Sequence, residues 1–234
     1  MRWRSICSAP TVTVPEKPDT APNPKSNRVT LHRSNHQHGA RIAWTRLFLA
    51  GVAIGLLFCR SSVIPADSVG FEFLFLTGLV LAVAGMAGRL WCSLFIAGRK
   101  SVELVTQGPY ARCRHPLYFF SLLGAVGVAL ASGMLTPALV VAGAFAAYYP
   151  TVIRREDALL RRRHGPCYEA YAEKLPAFWP RLHGAAVPEQ WTCRPRIFLR
   201  HLYSAAWFPL SCALVHALPR FREMLHLPCW FSLP

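Results

Sequence analysis

Two short stretches hold most of the side chains that could do chemistry. The first reads Gly108-Pro109-Tyr110-Ala111-Arg112-Cys113-Arg114-His115-Pro116-Leu117-Tyr118. The second opens with Arg154-Arg155-Glu156-Asp157 and continues to His164-Gly165-Pro166-Cys167-Tyr168 and Tyr171. Arg114 is a forked, permanently charged cation suited to a carboxylate or phosphate. His115 can donate, accept or titrate near neutrality. Pro116 stiffens the turn and sits at a tolerated first-turn position of a helix. Tyr118 sets a hydroxyl just inside that helix. Glu156 and Asp157 are anionic acceptors placed where an apolar run ends, and an unpaired carboxylate there would be costly. A cation facing an anion suits a zwitterionic ligand, such as an amino-acid head. Taken singly, each residue reads as ordinary loop charge; taken together, they read as a site.

Apolar elements must position these stretches. The chain has 234 residues, 53% hydrophobic and only 16% charged. A disordered chain would need low hydrophobicity, and a soluble domain carries about 25% charged residues. The composition therefore points to an all-α, polytopic membrane helix bundle with about four to five transmembrane helices. Apolar runs lie at about 42–65, 71–96, 117–131 and 135–153. Each is compared with the roughly 20 residues that a crossing needs; 117–131 barely reaches. A fifth run, about 198–218, contains His201, Pro209 and His216 and either spans or lies in the interface as an amphipathic helix. Residues 1–40 read as a mobile, basic cytoplasmic arm, 41–185 as the core, and 186–234 as an interfacial or membrane-associated extension. No signal peptide is evident in the arm, which is interrupted by Pro10, Pro15, Pro18, Pro22 and Pro24.

Charge sets the expected topology. Lys+Arg outnumber Asp+Glu by 26 to 11, for a formal net charge of +15. The excess falls in the arm, in 98–117 and in 154–200. Four spans bring all three regions to one side, which the positive-inside rule makes cytoplasmic. Ser132-Gly133-Met134 is short enough to make a tight hairpin of the runs on either side of it. Arg114 and His115 are therefore expected beside Glu156 and Asp157. Close helix packing is offered by Gly51 with Gly55 and by Gly124 with Gly127.

The motif Gly108-Pro109-Tyr110…Arg114-His115-Pro116-x-Tyr118, with Glu156-Asp157 and Tyr168…Tyr171 after the hairpin, resembles a family of membrane methyltransferases. That family includes isoprenylcysteine carboxyl methyltransferases and phospholipid N-methyltransferases. Pro176-Ala177-Phe178-Trp179-Pro180 resembles the end of its motif, and the likeness covers roughly 45–181. The resemblance implies S-adenosylmethionine as cofactor at the cytoplasmic face, and a lipophilic acceptor entering from the bilayer. It implies cofactor binding by Arg114, His115, Tyr118, Glu156 and Tyr110. If the acceptor is an amine or hydroxyl, a proton must leave, and Glu156 or Asp157 is the candidate catalytic base. A carboxylate acceptor needs none. Asp157 stands where the family has glutamate, and His164 where it has an aromatic.

Other classes fit less well. Membrane sterol and steroid reductases share a similar turn and use NADPH, but this chain has Leu117 and Phe119-Phe120-Ser121 where their turn continues differently. A non-catalytic membrane scaffold is a third reading. Nucleic-acid binding is not expected, because the basic residues form no recognisable module. No metal is expected either. The eight cysteines include no C-x-x-C pair, and His32, His36 and His38 lie in a polar tail without a second shell. Cys113 reads as a small space-filling residue, although nearby cations could activate it.

Overall fold

The computed structural model describes residues 59–61, 64–65, 68–97, 103–181, 187–226 and 231–233. All belong to one compact unit, Phe58–Pro234, while the other unit, Met1–Leu57, falls outside them. The basic arm, Gly51, Gly55 and most of the first apolar run thus lie outside the described residues.

Helix α1 spans Val69–Ile96. Ser68 caps it: its hydroxyl oxygen accepts from Phe71 N–H at 3.2 Å and its O–H donates to the Pro65 carbonyl at 2.7 Å. A 310 turn follows at Gly108–Ala111. Helix α2 spans Pro116–Leu130, α3 Leu135–His164, α4 Pro166–Lys174 and α5 Pro195–Met224. Helices α2, α4 and α5 each start on a proline, whose missing N–H costs nothing at that position. Among the described residues the fold is all-α apart from one three-residue parallel ladder, β1 (Cys59–Ser61) with β2 (Phe231–Leu233), which pairs Arg60 with Ser232. Nothing in the sequence pattern signals that ladder.

Among the described residues, three helices, α1, α3 and α5, are long and apolar enough to cross a membrane. Helix α2 has 15 residues, or about 22 Å at 1.5 Å per residue. The undecided C-terminal run proves to be a 30-residue helix, longer at both ends than the apolar stretch suggests. The polar residues after Ile153 also differ from a loop: α3 continues without a break to His164.

Helices α1 and α2 run antiparallel at very short range because glycines face each other. A Cβ on Gly78 would lie 2.5 Å from the Gly127 carbonyl oxygen, and one on Gly85 would lie 2.6 Å from the Gly124 Cα. This is the small-residue packing that membrane helices use in place of a hydrophobic drive. Helix α5 lies against both: Phe208 sits on Gly124, and His216 stacks on Phe75 with ring centroids 3.8 Å apart. Ala82, Ala131 and Cys212 form the buried centre of this three-helix junction. Arg89 enters it from α1; its Nη1 donates to Ser121 Oγ at 2.5 Å, and its guanidinium lies 5.7 Å from the Phe208 ring centroid. Helix α3 packs mainly on α2, and Leu139, Val140 and Tyr148 on its outer face are exposed.

Candidate functional site

The site forms at the open end of the α2–α3 hairpin. The preceding turn is fixed by a glycine: Gly108 has φ +59°, and a Cβ there would lie 2.4 Å from the Phe95 ring. The extended residues after it are held by a distant segment. Arg114 N–H donates to the Pro176 carbonyl at 3.0 Å, His115 N–H to the Ala177 carbonyl at 3.0 Å, and Arg181 N–H to the Arg112 carbonyl at 3.1 Å. Gly165, at φ 51° and ψ −131°, then breaks the chain between α3 and α4. That conformation is open to glycine but not to residues with a side chain, and it turns α4 back onto the site.

Glu156 and Asp157 are adjacent in sequence but differ in setting. Asp157 is buried and engaged on both oxygens. Arg114 Nη1 lies 3.0 Å from Oδ2, His115 Nε2 lies 2.7 Å from Oδ1, and the Tyr168 hydroxyl also donates to Oδ1. Three chain segments thus meet on one carboxylate. Glu156 accepts from the Tyr118 hydroxyl at 2.7 Å and lies 3.5 Å from His115 Nδ1. Its side chain is 29% exposed, against 9% for Asp157. The imidazole of His115 is therefore held between two carboxylates. Burial disfavours its charged form, but hydrogen bonds and charge from Asp157 and Glu156 outweigh this and raise its pKa above the ordinary value.

The sequence expected Arg114 and His115 beside the acidic pair, and the distances place them there, with Tyr118 joining them. Arg114 braces the turn through Asp157. Tyr110 contributes a backbone carbonyl, which accepts from the Tyr171 hydroxyl at 2.6 Å. Its own phenol is buried, which pushes its pKa up. Cys113 is fully buried, and burial pushes its thiol up to about 12; it packs rather than reacts. Tyr168 and Tyr171 gained no role from the sequence, yet both reach the site. Their three-residue spacing, which puts them on one face of α4, was the available signal.

Two cavities flank this cluster. The first is a cleft in which Glu103, Tyr110, Arg114, His115, Tyr118, Glu156 and Tyr171 are set among Ile96, Leu104, Val105, Leu117 and Leu160. The second has a volume of about 510 Å³ and lies between α2, α3 and the 177–179 segment. Its walls include Leu122, Ala142, Phe145, Tyr149 and Phe178. Arg114 borders both cavities, His115 only the first and Asp157 only the second. The Arg114–His115–Asp157 cluster is therefore the partition. Tyr118, in the first lining, meets Tyr149, in the second, edge-on with centroids 5.0 Å apart.

The family described as phospholipid methyltransferase matches residues 72–166, which include the turn, the hairpin and the acidic pair. The chain is 37% identical over 215 residues to the nickel-cobalt-cadmium resistance protein NccN of Alcaligenes xylosoxydans xylosoxydans, covering 92% of this chain and 95% of that relative. It is 39% identical over 184 residues to the cobalt-zinc-cadmium resistance protein CzcN of Cupriavidus metallidurans, covering 78% of this chain and 83% of that relative. No solved structure shows significant similarity. With its paired motifs, its apolar helices and these likenesses together, the chain belongs to the phospholipid methyltransferase family of membrane methyltransferases.

Proposed function

We propose that the chain transfers a methyl group from S-adenosylmethionine to a lipophilic acceptor carried in the membrane, with the donor site on the cytoplasmic side. The observation that carries this reading is the set of polar and aromatic side chains in the first cleft. It gathers Glu156, Glu103 and His115 with the rings of Tyr110, Tyr118 and Tyr171. Carboxylates complement an ammonium, and aromatic faces attract a cation, so the residues present fit a ligand that carries both an ammonium and a sulfonium. When bound, that cofactor supplies an electrophilic methyl group.

The chain's own residues have to orient and desolvate the reactants. Tyr118 fixes the Glu156 carboxylate by hydrogen bond, and Glu156 is the assigned ligand contact. Asp157 is a positioning residue: its engaged oxygens lock the 114–115 turn to α3 and α4. The names of NccN and CzcN give those relatives a setting in metal resistance. For this chain we read that setting as the context of a membrane-modifying activity. Among the described residues, no group of three or more His, Cys, Asp or Glu could hold a metal ion.

The test is calorimetric titration of S-adenosylmethionine into the purified full chain. Saturable binding, weakened at least about tenfold in Glu156→Ala, supports the reading. Absence of binding to the folded wild type, measured beside an NADPH titration, overturns it.

A further inference from the structure

We propose that the C-terminal third of α3 is a docking surface for anionic phospholipid headgroups, which the chain gathers in the leaflet nearest the candidate site. The inference needs α3 to cross the membrane; it does not need methyl transfer. The last eleven residues of α3, 154–164, expose seven side chains. Five are arginines: Arg154, Arg155, Arg161, Arg162 and Arg163. The other two are Ala158 and Leu159. The acids of this stretch, Glu156 and Asp157, lie on the inner face against Tyr118 and His115. At about 100° per residue, Arg155, Leu159 and Arg162 form one stripe, and Arg154, Ala158 and Arg161 form a second beside it.

Nothing neutralises this arc from within the protein. Among the described residues, none of the five arginines makes an ion pair, and neither do the exposed Glu169 and Glu173 of α4. Like charges held together on one bare face repel each other and attract a polyanionic surface. Sidedness alone would be served by the same charge anywhere on that side of the membrane. It does not require the charge to be gathered on one helix face.

Position selects a lipid as the partner. Helix α3 has 30 residues, about 45 Å at 1.5 Å per residue. Counted from Leu135, roughly 20 residues cross the hydrocarbon core, so the helix leaves it near Arg154. Arg154 and Arg155 then stand at headgroup depth. Arg161, Arg162 and Arg163 stand about 10 Å farther out. Their Cα–Cβ bonds lean towards the helix N-terminus, which is the bilayer side, and their long stems reach back further. Leu159 is 55% exposed and Trp179 is 69% exposed. Trp179 and Arg154 border the same cavity, which puts a tryptophan at the level where such rings seat in the interface. A bilayer covers these apolar groups, whereas a nucleic acid would leave them in water. A guanidinium fork matches a phosphodiester. Phosphatidylcholine carries that group too, but its ammonium offsets the charge, so a net anionic lipid is preferred.

The test places the full chain in phosphatidylcholine bilayers that contain dibrominated phosphatidylglycerol and reads tryptophan quenching. Phosphatidylglycerol should be enriched around the wild type at least about threefold over phosphatidylcholine. The preference should collapse near 1 M salt, where the screening length is about 3 Å. The triple variant Arg161→Gln, Arg162→Gln, Arg163→Gln should lose most of it, and the corresponding triple lysine variant should keep most of it. Arg155→Gln alone should lower it by a smaller step, which keeps the test sound if the triple glutamine variant does not fold. The matched control is Arg194→Gln, Arg196→Gln, Arg200→Gln, which removes three exposed charges from the start of α5. It should leave the preference nearly intact. Equal quenching by both lipids overturns the proposal. An equal loss in the control makes the preference an effect of net charge and overturns the assignment to α3. Displacement of the brominated lipid by added polyuridylate gives the surface to a nucleic acid and overturns it as well.

Discussion

His115 Nε2 lies 2.7 Å from Asp157 Oδ1, across 42 residues of sequence. The contact closes the base of the α2–α3 hairpin, and Arg114 and Tyr168 share the same carboxylate. Glu156, one residue earlier, lines the first cleft instead. Successive residues on a helix point about 100° apart, which is how an adjacent pair divides into a brace and the proposed ligand contact.

That division predicts opposite mutant profiles. Asp157→Ala leaves Arg114 and His115 buried without their shared anion. Breaking such a buried pair costs roughly 3–5 kcal/mol, so the thermal midpoint in detergent should fall sharply. Glu156→Gln should leave the midpoint nearly unchanged while weakening donor binding. Melting curves and titrations on both variants check this; a reversed pattern would reverse the assigned roles.

The raised pKa of His115 sets a pH dependence. A group bound more tightly as its cation in the folded state contributes most below its unfolded pKa, about 6.5. That contribution disappears as pH rises through the higher folded value. Wild-type stability should therefore decline across that window, and His115→Gln should flatten the decline. Thermal midpoints measured from about pH 5.5 to 9 test it, and parallel slopes for the two proteins would exclude His115 as the source.

The glycine crossing predicts a contrast between positions. Gly78→Val places side-chain atoms where the Gly127 carbonyl already sits, so folded monodisperse protein should be lost on size-exclusion chromatography. Gly143 meets nothing within 4 Å of a built Cβ. Gly143→Ala should be tolerated, and stabilising by up to about 1 kcal/mol from helix propensity. Equal behaviour of the two variants would refute close α1–α2 packing.

Orientation follows from loop charge and is tested by reporters. Fusions after residue 133 should report the non-cytoplasmic side, and fusions after residue 174 the cytoplasmic side. A cytoplasmic signal at 133 would contradict the proposed sidedness.

Periodicity and apolar length made much of this legible. The run 71–96 anticipates α1 within two residues, and the short turn at 132–134 was enough to place the acidic pair beside Arg114 and His115. The polar continuation of α3 was hidden because charge reads as loop, although arginine, leucine and glutamate are good helix formers. Phe145 and Tyr149 were hidden for the opposite reason: inside an apolar run, a cavity wall and a lipid-facing surface look alike. The split between Glu156 and Asp157 depends on Tyr168, which reaches the site only through the backbone turn at Gly165.

Helix α2, at about 22 Å, is several ångströms shorter than a hydrocarbon core of about 30 Å. Its neighbours α1, α3 and α5 have 28 to 30 residues. Local thinning of the bilayer is one way in which such a mismatch is relieved. The aqueous surface would then dip towards the helix that begins at His115. A water-borne donor and a lipid-borne acceptor could meet across the Arg114–Asp157 partition without either one leaving its own phase completely.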